Sequence, residues 1–325
     1  RDMALYRAKL EEIPVVLASA TPSLETLKNV KEEKYKVLKL NKRATGANLP
    51  SFHAVDLKGK ELHEGLSKEL LEATQTELDK GNQVLIFLNR RGYAPSMICK
   101  ACGWISNCDR CDALMTVHKN PLKLHCHHCE AQKPYPSKCP SCGSDDFLTY
   151  GFGTERVEEF LRGHFPDTKT LRIDSDSTRK KESLNEYFDE IKKGEPIILL
   201  GTQLLAKGHH FPNVTLVGII DADSGLFSAD FRGSERVAQL MTQVAGRAGR
   251  DKKPGRVILQ SYCLDHPQIE EIITGSYEKF AKKLLEERKS YKIPPFSFQA
   301  KIFAESPKSL VSRDFILKLL NFCKA

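Results

Sequence analysis

The stretch Val84-Leu-Ile-Phe-Leu88 decides the fold class. Five apolar residues in a row leave no polar face, so such a strand has both faces covered, as in the parallel sheets of α/β proteins. Upstream, Ser67 to Lys80 carries Leu70, Leu71, Thr74 and Leu78 on one helical face, and Gly81 stands where a C′ glycine belongs. Downstream the alternation resumes after a long interruption. A helix over Thr154–His164 precedes a strand over Thr170–Asp174, and a helix over Lys180–Lys193 precedes a strand over Ile197–Leu200. A strand over Val214–Asp221, a helix over Ser234–Ala245 and a strand over Arg256–Ser261 complete the series. Strands alternating with helices of roughly 10–15 residues predict βαβ units and a doubly wound parallel sheet.

The flanks read differently. Pro14–Ala18 is a short apolar run that predicts a buried strand. It turns at Ser19-Ala-Thr-Pro-Ser23 into a helix with Thr21 as N-cap and Pro22 at N1. A second strand is expected over Tyr35–Leu40, and residues 42–52 (KRATGANLPSF) read as a linker. After Ser261 one long charged helix, Gln268–Lys289, leads to Ile293-Pro-Pro-Phe296, which marks a boundary with a further domain.

The interruption after Leu88 holds eight of the ten cysteines, in four C-x2-C pairs: Cys99/Cys102, Cys108/Cys111, Cys126/Cys129 and Cys139/Cys142. The N-terminus RDMALYRAKLEEIP has no apolar core of a signal peptide, and no apolar run approaches the roughly 18–20 residues that span a bilayer. The chain therefore reads as cytoplasmic, without a membrane partner, where thiols stay reduced and such pairs bind metal. Eight thiolates suit two Zn2+ with four cysteines each, although an iron–sulfur cluster uses the same ligand number. Four pairs combine sequentially, crossed or nested. CKACG and CPSCG share a glycine after the second cysteine, which favours the nested arrangement. Cys99, Cys102, Cys139 and Cys142 would then hold one zinc, and Cys108, Cys111, Cys126 and Cys129 the other. His127 and His128 read as polar side chains turned away from a knuckle rather than as ligands. Trp104, the only tryptophan, reads as cover for this small module sooner than as a platform for a nucleic-acid base.

The formal charge of +8 loses half its value once eight thiolates and two Zn2+ are counted, so attraction to DNA must come from local clusters. Gln243-Val-Ala-Gly-Arg-Ala-Gly-Arg250 is one such cluster. Arg247 and Arg250, three apart on a helix, would share a face and reach one phosphate together, or else complement a helix dipole. Gly246 and Gly249 suggest close approach of backbone to a ligand. Gly201-Thr-Gln-Leu-Leu-Ala-Lys-Gly208 follows a buried strand and would present Thr202 at the ligand-binding edge of the sheet. Asn89 and Arg90 have the same placement. An ordinary βα turn explains either stretch as well.

In chain order, SATPS (19–23), LIFLNRRGY (85–93), the eight cysteines, GFGTE (151–155), GTQLLAKGHHFPNV (201–214) and QVAGRAGR (243–250) resemble motifs III to VI of superfamily 2 helicases. The cysteine insertion, with DADSGLFSADFRGSER (221–236) and PPFSF, narrows the resemblance to the replication-restart helicase family. The resemblance implies a RecA-like second motor lobe over 49–98 and 147–262, interrupted by a zinc-binding insertion at 99–146. It also implies the tail of a first lobe over 1–48 and the start of a C-terminal α+β domain over 263–325. It implies a monomeric ATP- and Mg2+-dependent 3′-to-5′ DNA helicase that recognises stalled or abandoned forks and initiates primosome assembly, working with primosome proteins and single-strand-binding protein. Arg247 and Arg250 would be arginine fingers with Gln243 beside them. Gly208 and Gly246 would lie on the ATP side, and Thr202, Asn89 and Arg90 on DNA.

One departure matters. No GxxxxGK[ST] and no DExH-type box occurs in the chain, so it reads as a piece that alone neither hydrolyses ATP nor unwinds DNA. The rival reading is a zinc-scaffolded nucleic-acid- or partner-binding protein with a degenerate RecA-like lobe and no catalytic role.

Overall fold

A computed structural model describes residues 1–40, 50–88, 97–111, 114–119, 122–126, 129–148, 154–173, 181–202, 211–220, 222–223, 230–249, 253–274, 276–300, 302, 304, 306 and 309–324. At its centre six strands lie side by side in the order β1 (Ser51–Asp56), β13 (Arg256–Ser261), β12 (Val214–Ile219), β4 (Gln83–Phe87), β11 (Ile197–Gly201) and β10 (Lys169–Ile173). All five pairings are parallel. The expected α/β class and its parallel sheet are therefore present. The apolar stretch that suggested them is β4, buried at every position and third from one edge.

Alternation along the strands divides the core in two. Leu85, Phe87, Leu199, Val217, Ile219, Val257 and Leu259 face one layer, built from α5 (Lys181–Lys192), α6 (Gly233–Ala245), α7 (Pro267–Thr274) and α8 (Tyr277–Ser290). Val84, Ile86, Ile198, Leu200, Leu216 and Ile258 face the other, built from α3 (Lys68–Asp79) and α4 (Thr154–His164). Each fully buried Leu, Ile or Val contributes about 1.5–3 kcal/mol relative to exposure, which makes this two-layer burial the main stabilising term. A short antiparallel pair, β2 (Leu62–His63) and β3 (Leu66–Ser67), leads into α3; Ser67 caps α3 by accepting the Leu70 N–H, and Gly81 follows at φ 75°, so helix and strand are joined by one tight left-handed turn.

Several expectations fail, each for a physical reason. Pro14–Ala18 and Tyr35–Leu40 are not strands: neither pairs with any described strand, and Val16, Leu38 and Leu40 stay exposed, so the burial that would favour a strand is missing. After α1 (Asp2–Leu10), the helix that follows SATPS, α2 (Leu24–Lys31), starts later than expected: Ser23, not Thr21, is its N-cap and accepts the Thr26 N–H. Ser51 and Phe52 belong to β1 rather than to a linker; residues 41–49 lie outside the described part. The long charged helix is two helices, because Ser276 caps α8 by accepting the Lys279 N–H. A last helix, α9, runs Ser309–Lys324.

The cysteine module leaves the sheet after the carboxyl end of β4 and returns into α4. It consists of the short pair β5 (Ile98–Cys99) and β9 (Phe147–Leu148) and a three-stranded antiparallel ribbon, β6 (Thr116–Lys119), β7 (Leu122–His125) and β8 (Gln132–Pro134).

Candidate functional site

The eight cysteine sulfurs gather into two groups of four, Cys99/Cys102/Cys139/Cys142 and Cys108/Cys111/Cys126/Cys129, each with all its sulfurs within 4.8 Å of one another. This is the nested arrangement. Paired sulfurs stand 3.6 Å (Cys99–Cys142), 3.7 Å (Cys102–Cys139), 3.5 Å (Cys108–Cys129) and 3.5 Å (Cys111–Cys126) apart. Tetrahedral thiolates about 2.3 Å from Zn2+ lie about 3.8 Å from each other, so both cages fit zinc. Bound there, zinc would clamp ribbon to knuckle without an open coordination position, a structural role.

Local backbone explains why these positions carry cysteine. In each of three knuckles the first cysteine's carbonyl accepts the N–H four residues on: Cys99 from Gly103 at 2.8 Å, Cys139 from Gly143 at 2.9 Å, Cys126 from Glu130 at 2.9 Å. That fourth residue turns left-handed, at φ 76°, 77° and 61° respectively. Glycine takes this conformation without strain, which is why CKACG and CPSCG could be matched to each other, whereas the Cys126/Cys129 knuckle, with Glu130 in that place, was read from its C-x2-C spacing alone. The Arg110 N–H points at Cys108 Sγ at 3.4 Å and is the leading reason its thiol is drawn down to about 7, toward the thiolate a metal needs. Trp104 packs edge-on to Phe147 at 6.5 Å between ring centroids, within a small cluster of Met97, Met115, Leu124 and Ala131. His127 and His128 lie outside the described residues.

The outer group, Cys99/Cys102/Cys139/Cys142, docks on the lobe. Lys100 O accepts the Gly59 N–H at 2.9 Å, and a Cβ on Gly103 would stand 2.7 Å from Tyr262 O. Beneath this seam the buried Asp223 accepts from Ser261 Oγ at 2.5 Å and the Tyr262 N–H at 2.8 Å. Burial pushes the Asp223 carboxyl pKa up and the Tyr262 phenol to about 12.

The second region is the SATPS turn against α6. Gln243 Nε2 donates to Thr21 Oγ1 at 2.9 Å, and Gln239 Nε2 to Thr21 O at 3.2 Å. Arg247 is buried, but not as expected. The helix ends at Ala245, and residues 246–249 form a turn, so Arg247 lies in that turn and not on the helix. Gly246 is the helix C-cap at φ −64°. Gly249, at φ 62°, lies where a Cβ would come within 2.4 Å of Gly255 N; its close approach is to the chain's own backbone at the start of β13. Thr202 is buried at the carboxyl end of β11. Arg250, Gly208, Asn89 and Arg90 lie outside the described residues. The sequence reading missed Glu235, whose carboxylate accepts the Leu24 N–H at 3.0 Å. The available signal was the spacing of Glu235, Gln239 and Gln243, one polar stripe along α6.

A parallel lobe carrying two four-cysteine cages at its carboxyl edge defines a class: a helicase C-terminal lobe with an inserted zinc ribbon. Residues 144–252 match the family described as Helicase conserved C-terminal domain, and residues 108–134 match PriA DNA helicase Cys-rich region (CRR) domain. The chain is 48% identical to the Replication restart protein PriA of Haemophilus influenzae over 322 residues, 99% of this chain and 44% of that protein. It is 43% identical to the protein of the same name from Rickettsia conorii (97% and 50%) and 39% identical to that from Bacillus subtilis (100% and 41%). It belongs to the PriA family, and it spans about half the length of the curated relatives it matches. Among the described residues no helix is long and apolar enough to cross a membrane.

Proposed function

We propose that this chain supplies the second motor lobe and the zinc module of an ATP-dependent 3′-to-5′ DNA helicase that recognises stalled or abandoned replication forks and initiates primosome assembly in the bacterial cytoplasm. Its partners are forked DNA, primosome proteins and single-strand-binding protein, and it acts as a monomer. The observation that carries the reading is the pair of nested cysteine cages beside the carboxyl edge of a parallel lobe, in a chain homologous to PriA along its length. Gln243 meets the SATPS turn, and Arg247 is buried in the turn that directly follows α6. A guanidinium there, with Arg250, would stabilise charge developing on the terminal phosphate of ATP, Mg2+ being held by the motifs this chain lacks. Thr202, Asn89 and Arg90 would face DNA, and Gly208 and Gly246 the nucleotide. The tail of a first lobe would span 1–48, the second lobe 49–98 with 147–262, the zinc module 99–146, and a further C-terminal domain would begin within 263–325.

The test is hydrolysis. The purified 325 residues should show no DNA-stimulated ATPase. In a protein that joins them to a Walker motif and DExH box, Arg247→Ala or Arg250→Ala should lower hydrolysis by roughly 10³-fold or more while DNA binding persists. ATPase activity from the chain alone, or full activity in both arginine variants, would sink the proposal.

A further inference from the structure

The SATPS turn is held by more than the stripe on α6. Glu235 is 4% exposed and joins two partners: Oε1 accepts the Leu24 N–H at 3.0 Å, and Oε2 accepts from Arg288 Nη2 at 2.9 Å. Arg288, 1% exposed, comes from α8. It donates further to Phe231 O at 2.9 Å and Pro294 O at 3.2 Å, and its guanidinium lies over the Phe231 ring at 5.1 Å. The other end of α8 supplies Tyr277, whose hydroxyl donates to Pro22 O at 2.7 Å and accepts from Gln239 Nε2 at 3.2 Å. Burial raises the Tyr277 phenol to about 12, so it remains a donor at physiological pH. Thr21 O, Pro22 O and the Leu24 N–H are thus each held by a side chain of α6 or α8.

A buried ion pair is seldom the most stable filling for a core, since two apolar side chains commonly do as well. Its value lies in specifying one arrangement, and this one specifies where the turn 21–24 sits relative to Gln243 and Arg247. We propose that Glu235, Arg288 and Tyr277 are positioning residues that latch the SATPS turn to α6, and that α8, which lies beyond the matched helicase domain of 144–252, is thereby a working part of the motor. When the turn moves, α8 must release it or move with it. The mechanical half of this statement rests on the helicase reading above, whereas the latch itself does not.

Glu235→Gln strips Arg288 of its charge partner and threatens folding, so Tyr277→Phe is the decisive variant, with Lys283→Met on the solvent side of α8 as control. In the zinc-loaded chain, Tyr277→Phe should speed hydrogen exchange of the amides of Thr21 to Thr26 about tenfold, leaving β4, β12 and zinc content unchanged, while the control changes nothing. Unchanged exchange at 21–26, or an equal rise throughout the sheet, would overturn the latch. In a protein that also carries the Walker motif, Tyr277→Phe should lower DNA-stimulated kcat several-fold with the KM for ATP unchanged. A lowered Tm with kcat intact would mean that the contact only braces the fold, and would overturn the positioning role. If the parent protein hydrolyses no ATP, the helicase reading fails and the exchange measurement alone decides the latch.

Discussion

The two cysteine cages have the same ligands and nearly the same sulfur spacing, yet they stand in different mechanical situations. The outer cage is fused to the lobe: Lys100 receives a hydrogen bond from Gly59, and Gly103 is pressed against Tyr262 O, over the buried Asp223. The inner cage belongs to the ribbon. The N–H groups of Met115, Cys126 and Glu130 go to Ser106, Ala131 and Cys126, and Lys133 reaches Asn107, all inside the module. One metal site therefore reports on the parallel lobe and the other on the module alone. Chemistry does not separate them; their neighbours do.

The strongest way to break this distinction is to remove one metal at a time. Cys139→Ser should release one zinc equivalent and lower the Tm of the whole lobe by roughly 5–10 °C, whereas Cys126→Ser should release one equivalent and leave the sheet's transition almost unmoved. Metal analysis with calorimetry checks both, and equal shifts would end the contrast. Next come two glycines with the same positive φ. Gly103→Ala meets both the strained conformation and Tyr262 O and should cost about 2–4 kcal/mol, but Gly143→Ala has nothing within 4 Å and should cost about 1 kcal/mol, measured by denaturant unfolding.

A smaller effect concerns the seam. The Asp223 carboxyl is raised by burial, so the folded chain holds its proton to higher pH than the unfolded chain, which ionises near pH 4. Its contribution to stability is then fully present below that pH and is lost as pH rises through the folded pKa. Asp223→Asn should flatten this part of the stability curve, and unfolding across that pH range would show it; an unchanged slope would refute the assignment. The smallest effect is expected in the inner cage. Glu130→Gly relieves a left-handed non-glycine residue at the loss of an exposed contact to His125, so a gain below about 1 kcal/mol is expected from the same unfolding experiment.

The central strands were readable because full burial leaves an unbroken apolar run; β4, β11 and β13 appear almost to the residue. The edge strand β1 was missed because an edge needs only partial burial, and Ser51-Phe-His-Ala-Val-Asp56 mixes polar and apolar residues accordingly. Pro14–Ala18 shows the converse: the same apolar pattern without a sheet edge makes no strand. In the cages, Gly103 and Gly143 disclosed the nested order because their left-handed conformation favours glycine, while the Cys126/Cys129 pair was legible from its spacing alone, Glu130 taking the same conformation without glycine. The pairing of Glu235 with Arg288, 53 residues away, had no local signature; it exists only after α6 and α8 have packed.

The pairing of β1 with β13 sets a timetable for synthesis. Among the described strands, the first of the sheet to leave the ribosome pairs only with the last, so it must wait, edge exposed, until nearly the whole lobe has been made. The ribbon, with ligands and strands all between Cys108 and Pro134, has no such delay, because they are neighbours in the chain. A growing chain would thus capture its inner metal early and close its sheet late. Zinc scarcity and premature termination would consequently produce different misfolded species: an unformed ribbon on a closed lobe in the first case, and a formed ribbon on an open sheet in the second.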